Sequence, residues 1–296
     1  MRSPKRKFIL GTDWWTDCDD AVALRLLTRA VGKGEIDLLG VAVNACMEHS
    51  VASVKSFLNR DGLPHIPVGI DREATDYGGT LTYQKRLAED LPQCSNADGE
   101  NAVELYRRLL AETDGKVELI EIGFLQVIEA LLKSEGDRFS PKSGRELVAE
   151  KVDRIWVMGG KWDKNGEKEH NFAKTPRARV AAEAFCRLCP VPVTFLGWEV
   201  AHGVISGGHL DPSDHLYLVM KDHGSSRGRH SWDPMLVLLA LIGDGEKAGY
   251  RTVTGWASVD SETGENTFQP AEDGLHRYVV RQWEKETYAQ MIDERL

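Results

Sequence analysis

The chain has 296 residues, 42% hydrophobic and 28% charged, enough for one large α/β domain or two small ones with a real core. A formal net charge of -9 argues against a nucleic-acid backbone as partner. The longest apolar stretch, Met235 to Gly243, falls far short of the roughly 20 residues that cross a bilayer. The basic opening MRSPKRK runs into FIL and stops at Gly-Thr-Asp, which does not read as a signal peptide. Five irregularly spaced cysteines suggest no disulfide framework. Cys186 and Cys189 form a lone C-x-x-C in an alanine-rich helical pattern, without the second half of a zinc site. The expectation is a soluble, reduced, cytoplasmic protein that binds neither nucleic acid nor membrane.

Strand-like runs alternate with helical ones. Lys7 to Thr12 leads into a helix over Ala21 to Ala30, and Ile36 to Val43 leads into Val51 to Asn59. Ile66 to Ile70 reads as a short strand, and Val117 to Ile122 precedes a helix over Leu125 to Lys133. Arg154 to Met158 precedes a loop and the helix Arg177 to Arg187, followed by the strand Val191 to Leu196. Tyr77 to Asn101 and Asp137 to Arg145 read as polar connections. Arg251 to Asp260, with a turn at Ser261 to Asn266, reads as an antiparallel hairpin. Repeated β-then-α pairs predict an α/β fold: an open, mostly parallel sheet with helices on both faces and a small C-terminal antiparallel appendage. Residues 1–296 are expected to form a single domain.

The chemistry concentrates in residues 11–20, G-T-D-W-W-T-D-C-D-D. Asp13 falls at the end of the first strand, and Asp19 and Asp20 open the following helix. Ligands of open α/β sheets bind beyond the carboxyl ends of the strands. A helix N-terminus favours an acid by about 0.3–1 kcal/mol, which eases one or two carboxylates and not four. A hard cation with oxygen ligands, Ca²⁺ or Mg²⁺, best relieves the rest. The plainer reading is an N-cap aspartate with solvated neighbours. Asp17 reads either as a further supporting acid or as a solvated one.

The stretch T-D-W-W-T-D-C-D-D-A-V-A-L resembles the N-terminal signature of the inosine-uridine preferring nucleoside hydrolase family. It is most similar to the branch with a T-D-x-x-T-D-x-D-D signature. Four further segments resemble the family in the right order: G-V-A-V-N ending at Asn44, E-I-G-F-L at 121–125, V-M-G-G at 157–160 with E-H-N at 169–171, and S-W-D-P at 231–234. The resemblance implies a Ca²⁺ held by Asp13, Asp20, Asp233 and the carbonyl of Ile122. It implies a ribose held by Asp19, Asn44, Glu169 and Asn171, and Asp13 as the base that activates water. It also implies a small nucleoside or related ribosyl substrate and a homodimer or homotetramer. Taken alone, Asn44, Glu169 and Asp233 would read as a satisfied strand amide, a solvated loop acid and an ordinary N-cap.

Three positions depart from the family pattern. Gly11 stands where an aspartate usually opens the cluster. Trp14 and Trp15 replace smaller residues, and Trp232 replaces a histidine that would serve as leaving-group acid. An indole donates a hydrogen bond but does not titrate. Trp14 and Trp15 either form an aromatic wall at the site or pack the loop against the sheet; as a wall, they and Trp232 are expected to stack on a base, with purines favoured, while His202 and His230 read equally as surface histidines or as alternative acids. A catalytically silent ribosyl- or metal-binding protein on the same fold is the alternative reading. A phosphoryl-transfer enzyme ranks lower, because Trp15 breaks the D-x-D spacing it needs.

Overall fold

A computed structural model describes residues 5–15 and 17–296. Most of the basic opening and Thr16 of the acidic signature lie outside the described residues.

Thirteen strands are described: β1 (Arg6–Thr12), β2 (Ile36–Val43), β3 (Val68–Ile70), β4 (Glu100–Asn101), β5 (Val117–Glu121), β6 (Val152–Met158), β7 (Glu167–Lys168), β8 (Val193–Leu196), β9 (Ile205–Ser206), β10 (Arg229–His230), β11 (Tyr250–Val259), β12 (Glu265–Pro270) and β13 (His276–Arg281). Eleven form one sheet in the order β4-β3-β2-β1-β5-β6-β8-β13-β11-β12-β7, while β9 and β10 pair separately. From β4 through β13 the neighbours run parallel; β11, β12 and β7 add antiparallel pairings. The C-terminal hairpin is thus the far side of the main sheet, joined to it by β13 alongside β8.

The central strand β1 is apolar because both of its faces are covered. Successive side chains point to opposite faces. Phe8 and Leu10 pack among the helices Asp19–Gly32 and Trp232–Ile242. Ile9 joins the opposite layer, under the helices Ala102–Glu112, Gln126–Lys133 and Pro176–Leu188. Leu10 lies in register with Val41 of β2 and Ile120 of β5. The chain leaves β1 towards β2 on one side and returns to β5 on the other. Such a reversal of strand order opens a crevice at the carboxyl ends.

Two stretches read as connections contain helices. Gly144–Lys151 opens on a reciprocal cap in which Ser143 accepts from Glu146 N–H and Glu146 accepts from Ser143 N–H. Thr82–Ala88 instead depends on tertiary contacts. Tyr83 and Gln84 are buried and both donate to the Trp14 carbonyl, at 3.1 and 2.6 Å. Its polar sequence hides an anchor for the acidic loop.

Candidate active site

Between β1 and the helix Asp19–Gly32 the chain makes a tight loop. Trp14 adopts a left-handed backbone, φ 52°, unusual for a bulky residue. Hydrogen bonds impose it. Its N–H donates to Thr12 Oγ1 and Asp20 Oδ1, and its indole N–H donates to Ser53 Oγ at 2.9 Å. Trp14 is fully buried against Phe57 and Tyr83 and does not line the cavity above the sheet. The expectation that it stacks on a base is corrected: its role is to hold the loop.

The cavity, about 220 Å³, sits over the carboxyl ends of β1, β5 and β6. Asp13, Asp19, Asp20, Asp233 and Glu169 line it, all nearly sealed from solvent, together with Ile122 and Asn171. The carboxylates of Asp19, Asp20 and Asp233 each offer an oxygen within 4.8 Å of the others. Asp13 faces the same cavity, its Oδ1 accepting Trp15 N–H at 2.9 Å. Gly123 makes this approach possible, because a Cβ there would overlap the Asp13 backbone and press on Asn44 Oδ1. Asn44 itself is buried behind Asp13, outside the cavity lining. Its Oδ1 accepts Phe124 N–H at 3.0 Å and its Nδ2 has no partner.

Burial and mutual repulsion raise the acids' pKa values. Asp13 is pushed well up by burial and then by Asp20, and Asp233 by burial, then Asp20 and Asp13. Asp19 rises through burial and the charges of Asp17 and Asp233. Asp20 rises to about 7 through burial, against the Thr12 hydroxyl that donates to it. Glu169 also reaches about 7 through burial, although Asn171 and Gly160 N–H groups donate to its two oxygens. Asp17 is the exception: despite burial, hydrogen bonds from Asp19 N–H and Arg229 Nη2 hold it at about 2.

Five buried carboxylates facing one cavity, Asp13, Asp19, Asp20, Asp233 and Glu169, are costly unless a cation neutralises them. Arg229 is the one arginine or lysine lining the cavity among the described residues, and it pairs with Asp17. The carboxylates brought within reach of one another, Asp19, Asp20 and Asp233, offer only oxygen, which fits a hard divalent cation. No histidine or cysteine joins that set among the described residues.

A family model described as inosine-uridine preferring nucleoside hydrolase matches residues 8–263. The chain belongs to that family. Its class is that of the N-ribosyl hydrolases. Among curated proteins none matches. Solved structures share the fold at low identity. The inosine-uridine preferring nucleoside hydrolase of Bacillus anthracis superposes with TM-score 0.68 at 15% identity, covering 98% of this chain and 100% of that one. The purine-preferring ribonucleoside hydrolase of Gardnerella vaginalis gives 0.70 at 17%, covering 98% of each. The type III effector XopQ, solved with adenosine diphosphate ribose, gives 0.63 at 17%, covering 99% and 93%.

Against this family background the cavity's upper wall stands out. Trp198 and Trp232 line it, stacked with ring centroids 6.3 Å apart, and Trp15 lines the opposite side beside His170. Trp232 Nε1 donates to the Trp198 carbonyl at 3.1 Å, and Trp15 Nε1 to the Gly79 carbonyl at 2.9 Å. Both indole donors are engaged by the protein. His202 and His230 stack outside this wall and do not line the cavity, and His230 Nδ1 accepts Gly203 N–H. Burial and the neighbouring His202 and Arg229 hold His230 below its ordinary pKa. Neither histidine is placed to protonate a ligand in the cavity. Of the two readings open for His202 and His230, the structure favours surface histidines over acids of the site.

Trp198, His170 and Arg229 escaped the sequence reading. His170 lay within the quoted E-H-N, one residue from two named positions. Trp198 opens the short helix Trp198–Ala201 and Arg229 lies on the two-residue strand β10, segments with no motif of their own.

Proposed function

We propose that the protein is a Ca²⁺-dependent hydrolase that cleaves the N-glycosidic bond of ribonucleosides, purines foremost. The observation that carries this reading is the buried floor of acids at the switch point of the sheet, within a family of nucleoside hydrolases. Asp13, Asp20, Asp233 and the Ile122 carbonyl would hold the cation. When bound there, it supplies positive charge against the carboxylates and makes an adjacent water a better acid.

Asp13 then takes the proton as that water attacks the anomeric carbon. Cleavage develops positive charge on the ribosyl ring, and a buried carboxylate floor is preorganised to stabilise it. Asp19, Glu169 and Asn171 orient the sugar hydroxyls. Asn171 is set for this by its own contacts: its N–H donates to Glu169, and its Nδ2 donates to the Met158 carbonyl at 3.1 Å. Asn44, buried behind Asp13 and off the cavity lining, contributes by fixing the Gly123 turn, its Oδ1 accepting Phe124 N–H, and does not hold the ribose directly. Trp15, Trp198 and Trp232 flank the base.

All five cysteines are free thiols, which suits a reducing compartment such as the cytoplasm. A homodimer or homotetramer is the assembly that the family resemblance implies.

The test is a panel of nucleosides incubated with Ca²⁺ and assayed for reducing sugar, with and without chelator. Chelator-sensitive release from inosine or adenosine supports the proposal; no release from any member removes it. The second reading, a ribosyl-binding protein without turnover, is favoured by Trp232, whose indole stands where the family resemblance places a histidine acid. It would show nucleoside binding by calorimetry with no sugar released.

A further inference from the structure

We propose that Arg229 is the leaving-group residue of this site: its guanidinium hydrogen-bonds the departing base and stabilises it as an anion, in place of a titrating acid. This rests on the nucleoside hydrolase reading above.

The donors available on the upper wall lead to it. The Trp15 and Trp232 indoles spend their N–H groups on backbone carbonyls. His202 and His230 lie outside the cavity lining. His170 does line the cavity, but on the Trp15 and Phe124 side, next to the sugar-orienting Glu169. Arg229 lines the cavity beside Trp232, its guanidinium carbon 5.6 Å from the indole centroid. One of its nitrogens, Nη2, donates to Asp17 Oδ2 at 2.9 Å, while Nε–H is buried with no acceptor. Arg229 thus borders the cavity with only Nη2 tied to a carboxylate, and the guanidinium keeps donors that no protein acceptor fills among the described residues.

Asp17 gives the arrangement its rigidity. One carboxylate oxygen accepts Asp19 N–H at 2.9 Å and the other accepts Arg229, so Asp17 ties the arginine to the residue expected to hold the sugar. A planar fork anchored at one nitrogen retains donors that match a ring nitrogen and its neighbouring carbonyl oxygen. In the reaction the C–N bond breaks with its electron pair remaining on the base, and the water oxygen forms the new C–O bond. Water's proton passes to Asp13 and returns, through solvent, to the released base. Guanidinium stays protonated throughout, so it acts by charge and hydrogen bonding rather than proton donation.

The experiment compares inosine with 4-nitrophenyl β-D-ribofuranoside, whose phenolate departs without help. Wild type, Arg229→Met, Arg229→Lys and Asp17→Asn are assayed with Ca²⁺, and calcium uptake is measured by calorimetry. Arg229→Met is expected to lower kcat/KM for inosine at least tenfold more than for the nitrophenyl riboside, with calcium uptake unchanged. Arg229→Lys should lie between it and wild type, and Asp17→Asn should show the same bias with smaller amplitude. If Arg229→Met loses calcium uptake, the same ratio in Arg229→Lys decides. Equal losses on both substrates, or no loss, overturn the leaving-group role. A wild type that cleaves the nitrophenyl riboside but not inosine overturns it while sparing the sugar and metal half. A wild type inert to both overturns the reading beneath it and this inference together.

Discussion

The floor and the upper wall of the cavity are built on opposite principles. The floor is carboxylates and backbone carbonyls delivered by strand ends and by the first turn of two helices, Asp19–Gly32 and Trp232–Ile242. It is dry, rigid and strongly negative, suited to a cation and to a ring that becomes positive. The wall is aromatic rings and one arginine, delivered by the loop after β1, the short helix after β8, the strand β10 and the start of the helix Trp232–Ile242, with His170 on the Trp15 side. On the proposed reading, charge chemistry is kept below the sugar, and the base would meet stacking surfaces and the Arg229 guanidinium. Replacements in the floor should be all-or-none; those in the wall should be graded.

The largest effect is expected at the floor. Asp13→Ala and Asp233→Ala should each abolish calcium uptake measured by calorimetry. Asp13→Ala should also lower kcat by the hundredfold to ten-thousandfold typical of a lost general base (roughly 10²–10⁴). Uptake lost in Asp233→Ala but kept in Asp13→Ala would move the cation to Asp19, Asp20 and Asp233, and uptake unchanged in both would remove the site altogether.

A smaller loss should follow from the substrate side. If Asp19, Glu169 and Asn171 hold ribose hydroxyls, a 2′-deoxynucleoside leaves buried polar groups unpaired, at about 1–3 kcal/mol each. Deoxyadenosine should therefore react some ten- to a hundredfold more slowly than adenosine. Equal kcat/KM values would mean that the floor does not read the sugar.

The same floor predicts an inverted pH response of the metal-free protein. Asp13, Asp19, Asp20, Asp233 and Glu169 have folded pKa values above those of the unfolded chain, Asp20 and Glu169 near 7. Groups shifted upward stabilise fully below the unfolded value near 4 and lose that contribution as pH rises through the folded value. Asp17, held at about 2, titrates below this window and does not offset it. The Tm of chelated protein should fall between pH 4.5 and 8, and excess Ca²⁺ should recover most of it at pH 8. A Tm that rises with pH in chelator would show that these acids are already compensated.

How much of this was legible in the sequence follows the same division. Asp13, Asp19 and Asp20 could be placed because a strand-to-helix junction fixes them within one short segment, whereas Asp233 was placed only through the resemblance of S-W-D-P to the family, since Pro234 by itself marks no more than a helix start. The strands β1, β2, β5, β6 and β8 announce themselves by unbroken apolar runs. Thr82–Ala88 did not, because Tyr83 and Gln84 earn their burial by bonding to the Trp14 carbonyl, a partner far away in sequence. Trp14 and Trp15 looked equivalent as neighbours. The left-handed turn at Trp14 sends one into the core and leaves the other on the cavity. Arg229 was invisible for a related reason, since its partner Asp17 lies more than two hundred residues earlier.

The smallest effect, and the sharpest on the wall, concerns Trp232. Its indole N–H is occupied by the Trp198 carbonyl, so whatever it offers a base is its face. Aromatic contacts contribute about 0.5–1.5 kcal/mol beyond area burial, which is roughly two- to tenfold in rate when realised in the transition state. Purines present the larger stacking surface and should be cleaved better than uridine. Trp232→Phe keeps a face and loses the hydrogen bond to Trp198, whereas Trp232→Ala loses both. If stacking is what matters, Ala should cost more than Phe for inosine and adenosine, and the gap should narrow for uridine. If Ala costs no more than Phe, or if uridine is the best substrate, Trp232 serves only to pack Trp198 and Arg229 in place. The graded behaviour of the wall would then rest on Arg229 alone.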